Sequence, residues 1–139
     1  MNKYSFDEIE IGKEESFVFE LNKEKMDQFL FITNDINPLH NDLDYAKSKG
    51  YDEKVVYGML TASGLSTLAG VYLPGEKSLI YNVEIKFIKP VLLSTCPLKI
   101  TGKVISKDVR FSTIDVKFSI INNIEEKVSR GTMKIGVLK

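Results

Sequence analysis

Asp35 and His40, the only histidine in the chain, stand five residues apart. An Asn37-Pro38 step lies between them, and proline fixes its own backbone while keeping the preceding residue out of the helical region. A carboxylate and an imidazole in one stiff loop can converge on a water molecule and move protons as an acid/base pair. Asn37 could hold the loop or the aspartate through its amide. Taken alone, the pair also fits a structural interpretation, in which Asp35 caps a turn and His40 is a structural or surface histidine.

Gly58 offers a second chemical feature, because it opens a helical pattern within an uncharged run from Val55 to Gly75. Free backbone N–H groups and the positive end of a helix dipole suit a carbonyl oxygen that gains negative charge during a reaction. The simpler alternative is that Gly58 permits close packing. The uncharged run contains glycine, serine, threonine, tyrosine and proline, so it predicts a buried helix and not a membrane span.

Three helices are expected to position these groups. Asn22 caps the first, which runs to about Ile32; Asn41 or Asp42 caps a short second helix that ends near Gly50; the third runs from Gly58 to about Tyr72. The third is apolar or small on every side, which is typical of a helix enclosed by the rest of the domain.

Apolar residues at every second position predict strands around these helices. The predicted strands cover 17–19, 79–87, 98–104, 114–120 and 133–137, with turns at 88–90, 106–108 and 122–123. One-sided alternation indicates a sheet with one face on a core and one face in water. The sequence therefore predicts an α+β fold, in which an antiparallel sheet wraps around one buried helix.

The composition indicates one globular domain spanning residues 1–139, with 43% hydrophobic residues. Nineteen basic residues balance nineteen acidic ones, so no overall charge attracts nucleic acid or a membrane surface. One cysteine excludes an intramolecular disulfide and fits a reducing cytoplasm, and one histidine with one cysteine argues against a metal site. The N-terminus shows no apolar signal segment. Cys96 is expected to be a buried small hydrophobe. The lysines at 86, 89, 99 and 103 are expected to form a solvated sheet face, with contact to a phosphate group as the alternative.

The segment Thr33–His40 and the following Tyr57-Gly58-Met59-Leu60 resemble the signature of the MaoC-like dehydratases, which include the (R)-specific enoyl-CoA hydratases. That pattern is roughly Gly-Asp-x-Asn-Pro-Leu-His, followed by His-Gly-Met. The similarity extends through Tyr72-Leu73-Pro74-Gly75 and Lys89-Pro90-Val91, and so covers nearly the whole chain. It implies a hot-dog fold, a long central α-helix wrapped by an antiparallel sheet, assembled as a homodimer or a dimer of dimers.

The resemblance also implies roles for individual residues. Asp35 and His40 would activate water, the Gly58 N–H would bind the thioester carbonyl, and Ser66 would line the site. Asn37 and Tyr57 are further substrate-binding candidates. Asn34 stands where glycine is common and Tyr57 where histidine is usual, so Tyr57 could reshape the mouth of the pocket.

The leading hypothesis is an (R)-specific hydratase that adds water reversibly and syn to short-chain trans-2-enoyl-CoA, within fatty acid metabolism and without a cofactor or metal. The short connection from Tyr72 to Leu79 is the ground for a short chain. Three alternatives remain: a 3-hydroxyacyl dehydratase acting on an acyl carrier protein, a hot-dog acyl-CoA thioesterase, and a non-catalytic acyl-CoA-binding module.

Overall fold

A computed structural model describes all residues from Met1 to Lys139. The elements in chain order are β1 (Glu14–Phe19), α1 (Lys23–Thr33), α2 (Pro38–Asn41), α3 (Leu43–Ser48), α4 (Gly58–Thr67), a π-helical segment (Leu68–Tyr72), β2 (Ser78–Phe87), a short 3-10 turn (Leu93–Thr95), β3 (Leu98–Asp108), β4 (Thr113–Ile121) and β5 (Lys127–Val137). None of the helices is long and apolar enough to cross a membrane.

The five strands form one antiparallel sheet in the order β1-β3-β4-β5-β2. The helix α4 packs on its inner face, where glycines permit close approach. A Cβ atom on Gly64 would lie 2.4 Å from the Ile100 side chain, and one on Gly102 of β3 would lie 2.9 Å from Leu68. The alternating residues of β3 and β4 fill this core, and Ile100, Val104, Ile114, Val116 and Ile120 are all 0% exposed. The predicted wrapping of a sheet around one helix is confirmed.

Local signals place most helix ends correctly. The Asn22 side chain accepts a hydrogen bond from the Lys25 N–H at 2.9 Å, and the Asp42 side chain accepts one from Tyr45 N–H at 3.0 Å. Gly50 has the left-handed backbone expected after a helix, with φ of +91°. The predicted helix from 58 to 72 is α-helical only as far as Thr67. It continues with π-helical geometry, in which the Leu73 N–H bonds the Leu68 carbonyl at 2.8 Å.

Two other expectations were wrong. The turn predicted at 106–108 lies inside β3, which continues through a bulge after Val104, while the Ser106 hydroxyl bonds the Asp115 carboxylate at 2.6 Å on the neighbouring strand. The connecting turn occupies residues 109–112 instead. Ser106 is therefore satisfied across the sheet and Lys107 by the carbonyls of Phe6 and Ile9, so this polar run does not mark the end of the strand.

The strand β2 also departs from the predicted one-sided burial. Its apolar residues remain open to solvent, with Tyr81 56% exposed and Val83 41% exposed. The cause is its position, because β2 is an edge strand that pairs only with β5 and extends beyond the core. As a consequence α4 is not enclosed on every side: Met59, Ser63 and Ser66 are exposed beneath this edge.

Candidate active site

The loop that carries Asp35 begins at a left-handed helix end. Asn34 has φ of +56°, and its N–H bonds the Leu30 carbonyl at 2.8 Å to close α1. Glycine adopts this conformation most easily and asparagine is the next most tolerant residue. This requirement explains how asparagine can replace the glycine that is common in the resembling proteins.

Hydrogen bonds within the loop hold both the backbone and the side chain of Asp35. Its N–H bonds the Thr33 hydroxyl at 3.2 Å, and one carboxylate oxygen accepts the Asn37 N–H at 3.1 Å. The second carboxylate oxygen has no partner within the chain, and the side chain lines a large cleft. A carboxylate held by one oxygen and free at the other can accept a proton or a hydrogen bond from a water molecule in the cleft.

The backbone determines which nitrogen of His40 faces the reaction. Nδ1 lies 2.6 Å from the Val55 carbonyl oxygen, and a carbonyl oxygen can only accept a hydrogen bond. Nδ1 therefore carries the hydrogen, which leaves Nε2 of the neutral imidazole with a free lone pair. His40 lines the same cleft as Asp35. The structure thus brings the two predicted acid/base groups together and provides the tautomer that a general base needs.

Tyr57 packs against this loop through its ring and its hydroxyl group. Its side chain is only 2% exposed, and its ring stacks on the His40 ring with centroids 4.2 Å apart. The hydroxyl lies 3.1 Å from the Asp35 carbonyl oxygen and 3.1 Å from the Asn41 side-chain oxygen. The structure therefore places Tyr57 in the floor of the cleft and not at its mouth, where it connects the backbone of Asp35 to the ring of His40.

Asn37 contacts the loop and not the cleft. Its side-chain oxygen accepts the Leu39 N–H at 3.0 Å and so caps the single turn α2. It does not line the cleft, in contrast to Ser66, which does. The amide of Asn37 therefore has the positioning geometry that the sequence suggested, and the structure gives it no direct place beside a substrate.

Gly58 is the first residue of α4, and the chain provides no side-chain cap for this helix end. Its N–H has no acceptor within the helix because the first helical residues lack a preceding turn. A Cβ atom at this position would lie 3.2 Å from the Phe87 ring, closer than ordinary contact. An unpaired N–H at the positive end of a helix, on a residue without a side chain of its own, is a suitable site for a developing oxyanion.

The cleft has a volume of about 910 Å³. Its ionisable lining residues are Asp35, His40 and the buried Tyr57. Nine of its fifteen lining residues are hydrophobic. The full lining is Phe29, Thr33, Asp35, His40, Tyr57, Gly58, Met59, Ala62, Ser63, Leu65, Ser66, Ile80, Val83, Ile85 and Phe87. The contribution of β2 was missed at the sequence level, although the alternation of Val83, Ile85 and Phe87 identified a common strand face.

Other reactive side chains lie elsewhere. Burial raises the pKa of the Cys96 thiol to about 11, which makes it a poor nucleophile, and it does not line the cleft. No group of three histidine, cysteine or acidic residues has the arrangement of a metal site.

Comparison with known proteins gives a consistent result. The profile of the family described as MaoC like domain matches residues 8–123. An (R)-specific enoyl-CoA hydratase of Rhodospirillum rubrum is 30% identical over 105 residues, covering 73% of each chain. A second hydratase of that name, from Aeromonas caviae, is 31% identical over 85 residues, covering 61% of this chain and 63% of its own. The solved structure of the (R)-hydratase from A. caviae superposes with a TM-score of 0.87 at 22% identity, over 93% of this chain and 97% of that one, which shows that the hot-dog fold is shared.

Proposed function

Because the chain belongs to the MaoC-like family, we propose that it is a hydro-lyase that adds water reversibly to a short-chain trans-2-enoyl-CoA, giving the (R)-3-hydroxyacyl-CoA. One observation carries the proposal: the only two acidic or basic side chains of an apolar cleft lie beside an unpaired N–H at the start of α4. This arrangement provides a place for a water molecule, a place for a thioester oxygen and an apolar surface for an acyl chain.

In the hydration direction, His40 Nε2 and the free oxygen of Asp35 orient one water molecule and remove its proton. The oxygen of that water adds to C3 of the enoyl thioester, and negative charge moves to the thioester oxygen. A proton then reaches C2 from the same side, because the water and both proton-transfer groups lie on one face of the bound substrate. The addition is therefore syn, and dehydration follows the same steps in reverse.

The Gly58 N–H stabilises the enolate oxygen that forms during this addition. The helix dipole of α4 adds to the effect, and no side-chain cap competes for the N–H groups at this end of the helix. Removing one such donor typically costs a factor of 10² to 10³ in rate. The role of Ser66 is to line the acyl-binding part of the cleft.

The edge strand β2 is the proposed contact with a second copy of the chain. A ten-residue strand with unpaired backbone groups and exposed Tyr81, Val83 and Phe87 side chains is a template for further sheet pairing. Antiparallel pairing of two β2 strands around Ile85 would place Glu84 opposite Lys86 of the other copy. The same contact would cover the open side of the cleft, so we propose a homodimer, with a dimer of dimers as the alternative. Its mass in solution tests this assembly.

An acyl carrier protein is a second candidate carrier for the acyl group. On the outer face of the sheet, Lys86 lies directly opposite Arg130 and Lys103 directly opposite Lys117, and none of these four makes an ion pair within the chain. Like charges opposite one another destabilise a sheet, so this arrangement favours an anionic partner. The ratio of kcat/KM for CoA and carrier-protein thioesters of the same acyl group distinguishes the two carriers.

The proposed reaction uses no cofactor or metal, because the thioester itself delocalises the charge that forms at C2. We place this reaction in a reducing cytoplasm and within fatty acid metabolism.

The short acyl chain is part of the proposal. It is based on the direct connection of residues 73–77 between the π-helical segment and β2. Relative rates with four-, eight- and twelve-carbon enoyl-CoA substrates test it.

The decisive experiment follows the enoyl-thioester absorbance of crotonyl-CoA. Asp35→Asn and His40→Ala should each lower kcat by a factor of about 10² or more, because each removes one of the two proton-transfer groups. Asp44→Asn is the matched control, since this aspartate is exposed on α3 and lies outside the cleft. Full activity in either cleft variant would refute the assigned chemistry, and release of free CoA would indicate a thioesterase.

A further inference from the structure

A second cavity adjoins the main cleft at His40, Gly58 and Phe87. This rear cavity has a volume of about 260 Å³ and lies between the segment 51–56 and the segment 87–91. It shares His40, Gly58 and Phe87 with the main cleft. The Phe87 ring, which a Cβ atom on Gly58 would meet at 3.2 Å, lines both spaces. His40 and Gly58 therefore each border two spaces.

The inner end of the rear cavity carries an unpaired hydroxyl group. Thr61, one turn after Gly58 on α4, is 1% exposed, and its hydroxyl has no hydrogen-bond partner in the protein. Leaving a buried hydroxyl unsatisfied is unfavourable, so it indicates a partner that the polypeptide does not supply. Ser129 of β5, also 1% exposed, lines the same cavity. The outer end is formed by exposed residues, among them Lys89 and Pro90.

Water fits this space by size and by chemistry. Its volume of about 260 Å³ accommodates several water molecules, each of which takes roughly 30 Å³ in the liquid. Buried water requires two to four polar partners, and the hydroxyl groups of Thr61 and Ser129 are available in this lining together with neighbouring water molecules. The rear cavity is of mixed character, with seven hydrophobic residues among thirteen, and Thr61 and Ser129 contribute hydroxyl groups to its lining.

The proposed reaction needs such a route, because water is one of its reactants. An acyl chain in the apolar cleft covers Asp35 and His40 from the front. In dehydration, the 3-hydroxyl leaves C3 as water after taking up the proton removed from C2, and that water is then enclosed between the enoyl group and the protein. Without a second route, it stays in place until the enoyl thioester dissociates.

We propose that the rear cavity is the route by which the reactant water enters and leaves while the acyl thioester remains bound, with the Thr61 hydroxyl as a binding site along it. This inference rests on the proposed hydration, and a test by isotope exchange separates the two.

The experiment uses (R)-3-hydroxybutyryl-CoA labelled with oxygen-18 at its 3-hydroxyl, in unlabelled water. Early in the reaction, mass spectrometry measures the label lost from the remaining substrate, and absorbance measures the crotonyl-CoA released. If labelled water leaves before the enoyl thioester, solvent water adds back and unlabelled substrate forms without release of crotonyl-CoA. The ratio of label lost to crotonyl-CoA released should therefore be well above zero in the unaltered protein.

Thr61→Val keeps the side-chain shape and removes the hydroxyl, whereas Thr61→Ser keeps the hydroxyl. We expect Thr61→Val to lower the exchange ratio about fivefold, the effect of weakening one water-binding site, while Thr61→Ser leaves it nearly unchanged. A ratio of zero in an active, unaltered protein, or equal ratios in the two variants, would overturn the inference. Absence of all turnover would instead refute the proposed function.

Thermal unfolding provides a readout that does not depend on activity. If water occupies the site, Thr61→Val loses a hydrogen bond and should melt about 3 °C or more below Thr61→Ser, once the latter is corrected for the methyl group that serine lacks. The difference between Thr61→Val and Thr61→Ala provides that correction. If the cavity is dry, Thr61→Val removes an unsatisfied hydroxyl and should melt above the unaltered protein, which would count against a water site.

Discussion

Replacing Tyr57 by phenylalanine removes one hydroxyl and keeps the ring that stacks on His40. The hydroxyl is a single donor beside two acceptors, the Asp35 carbonyl and the Asn41 side-chain oxygen, each at 3.1 Å. The Asp35 carbonyl also accepts the Asn41 amide at 3.3 Å, so the substitution loosens the loop without releasing it. Loss of one buried hydrogen bond of ordinary length corresponds to about 1 kcal/mol.

We therefore expect Tyr57→Phe to lower the melting temperature by about 3–5 °C. It should lower kcat about fivefold to tenfold, because Asp35 spends less time at hydrogen-bond distance from the water that it activates. KM should change little, since the hydroxyl points into the loop and the side chain is only 2% exposed. The assay is steady-state hydration of crotonyl-CoA together with thermal unfolding. Tyr45→Phe is the control, because Tyr45 lies 38% exposed on α3.

A purely structural hydroxyl gives a different result. In that case Tyr57→Phe loses stability but keeps its full kcat below the melting range, which would refute the proposed positioning role. A rise in KM at constant kcat would also contradict it, because that pattern indicates a substrate contact.

Three further predictions concern the oxyanion donor, the cysteine and the edge strand. Gly58→Ala places a methyl group 3.2 Å from the Phe87 ring and should lower kcat for crotonyl-CoA by about tenfold or more by displacing the oxyanion donor, whereas Gly70→Ala, whose Cβ would meet nothing closer than 3.8 Å, should leave activity intact. The Cys96 thiol, with its pKa raised to about 11 by burial, should react with iodoacetamide at pH 8 roughly a hundred times more slowly than a free thiol, and a rate matching glutathione would contradict its burial. Val83→Lys introduces a charge on the exposed edge strand and should shift the mass measured by light scattering from dimer to monomer, while an unchanged mass would exclude pairing through β2.

The local structure could be predicted because its signals act between neighbouring residues. The caps at Asn22 and Asp42, the left-handed Gly50 and the alternation in β3 and β4 all depend on backbone geometry within a few positions. The stiff Asp35–His40 loop belongs to the same class, since proline at position 38 restricts the chain directly.

Failures of prediction occur where a distant part of the chain satisfies a residue. The polar run at 106–108 resembled a turn, yet Ser106 bonds Asp115 on the next strand and β3 continues. The apolar face of β2 resembled a core strand, yet its place at the sheet edge leaves it exposed. Strand order and cross-strand partners depend on the whole sheet, so the alternation along one strand does not predict them.

The residue order alone identifies the groups that can do chemistry: a stiff loop with one carboxylate and one imidazole, and a glycine opening an uncharged helix. How these groups act depends on the folded chain. It brings the Val55 carbonyl to His40 Nδ1, which sets the tautomer, and it places the Tyr57 hydroxyl at the Asp35 backbone. These partners are 15 and 22 residues apart in sequence. Contacts over such separations form only when the sheet closes around α4, because no local backbone preference brings the two segments together.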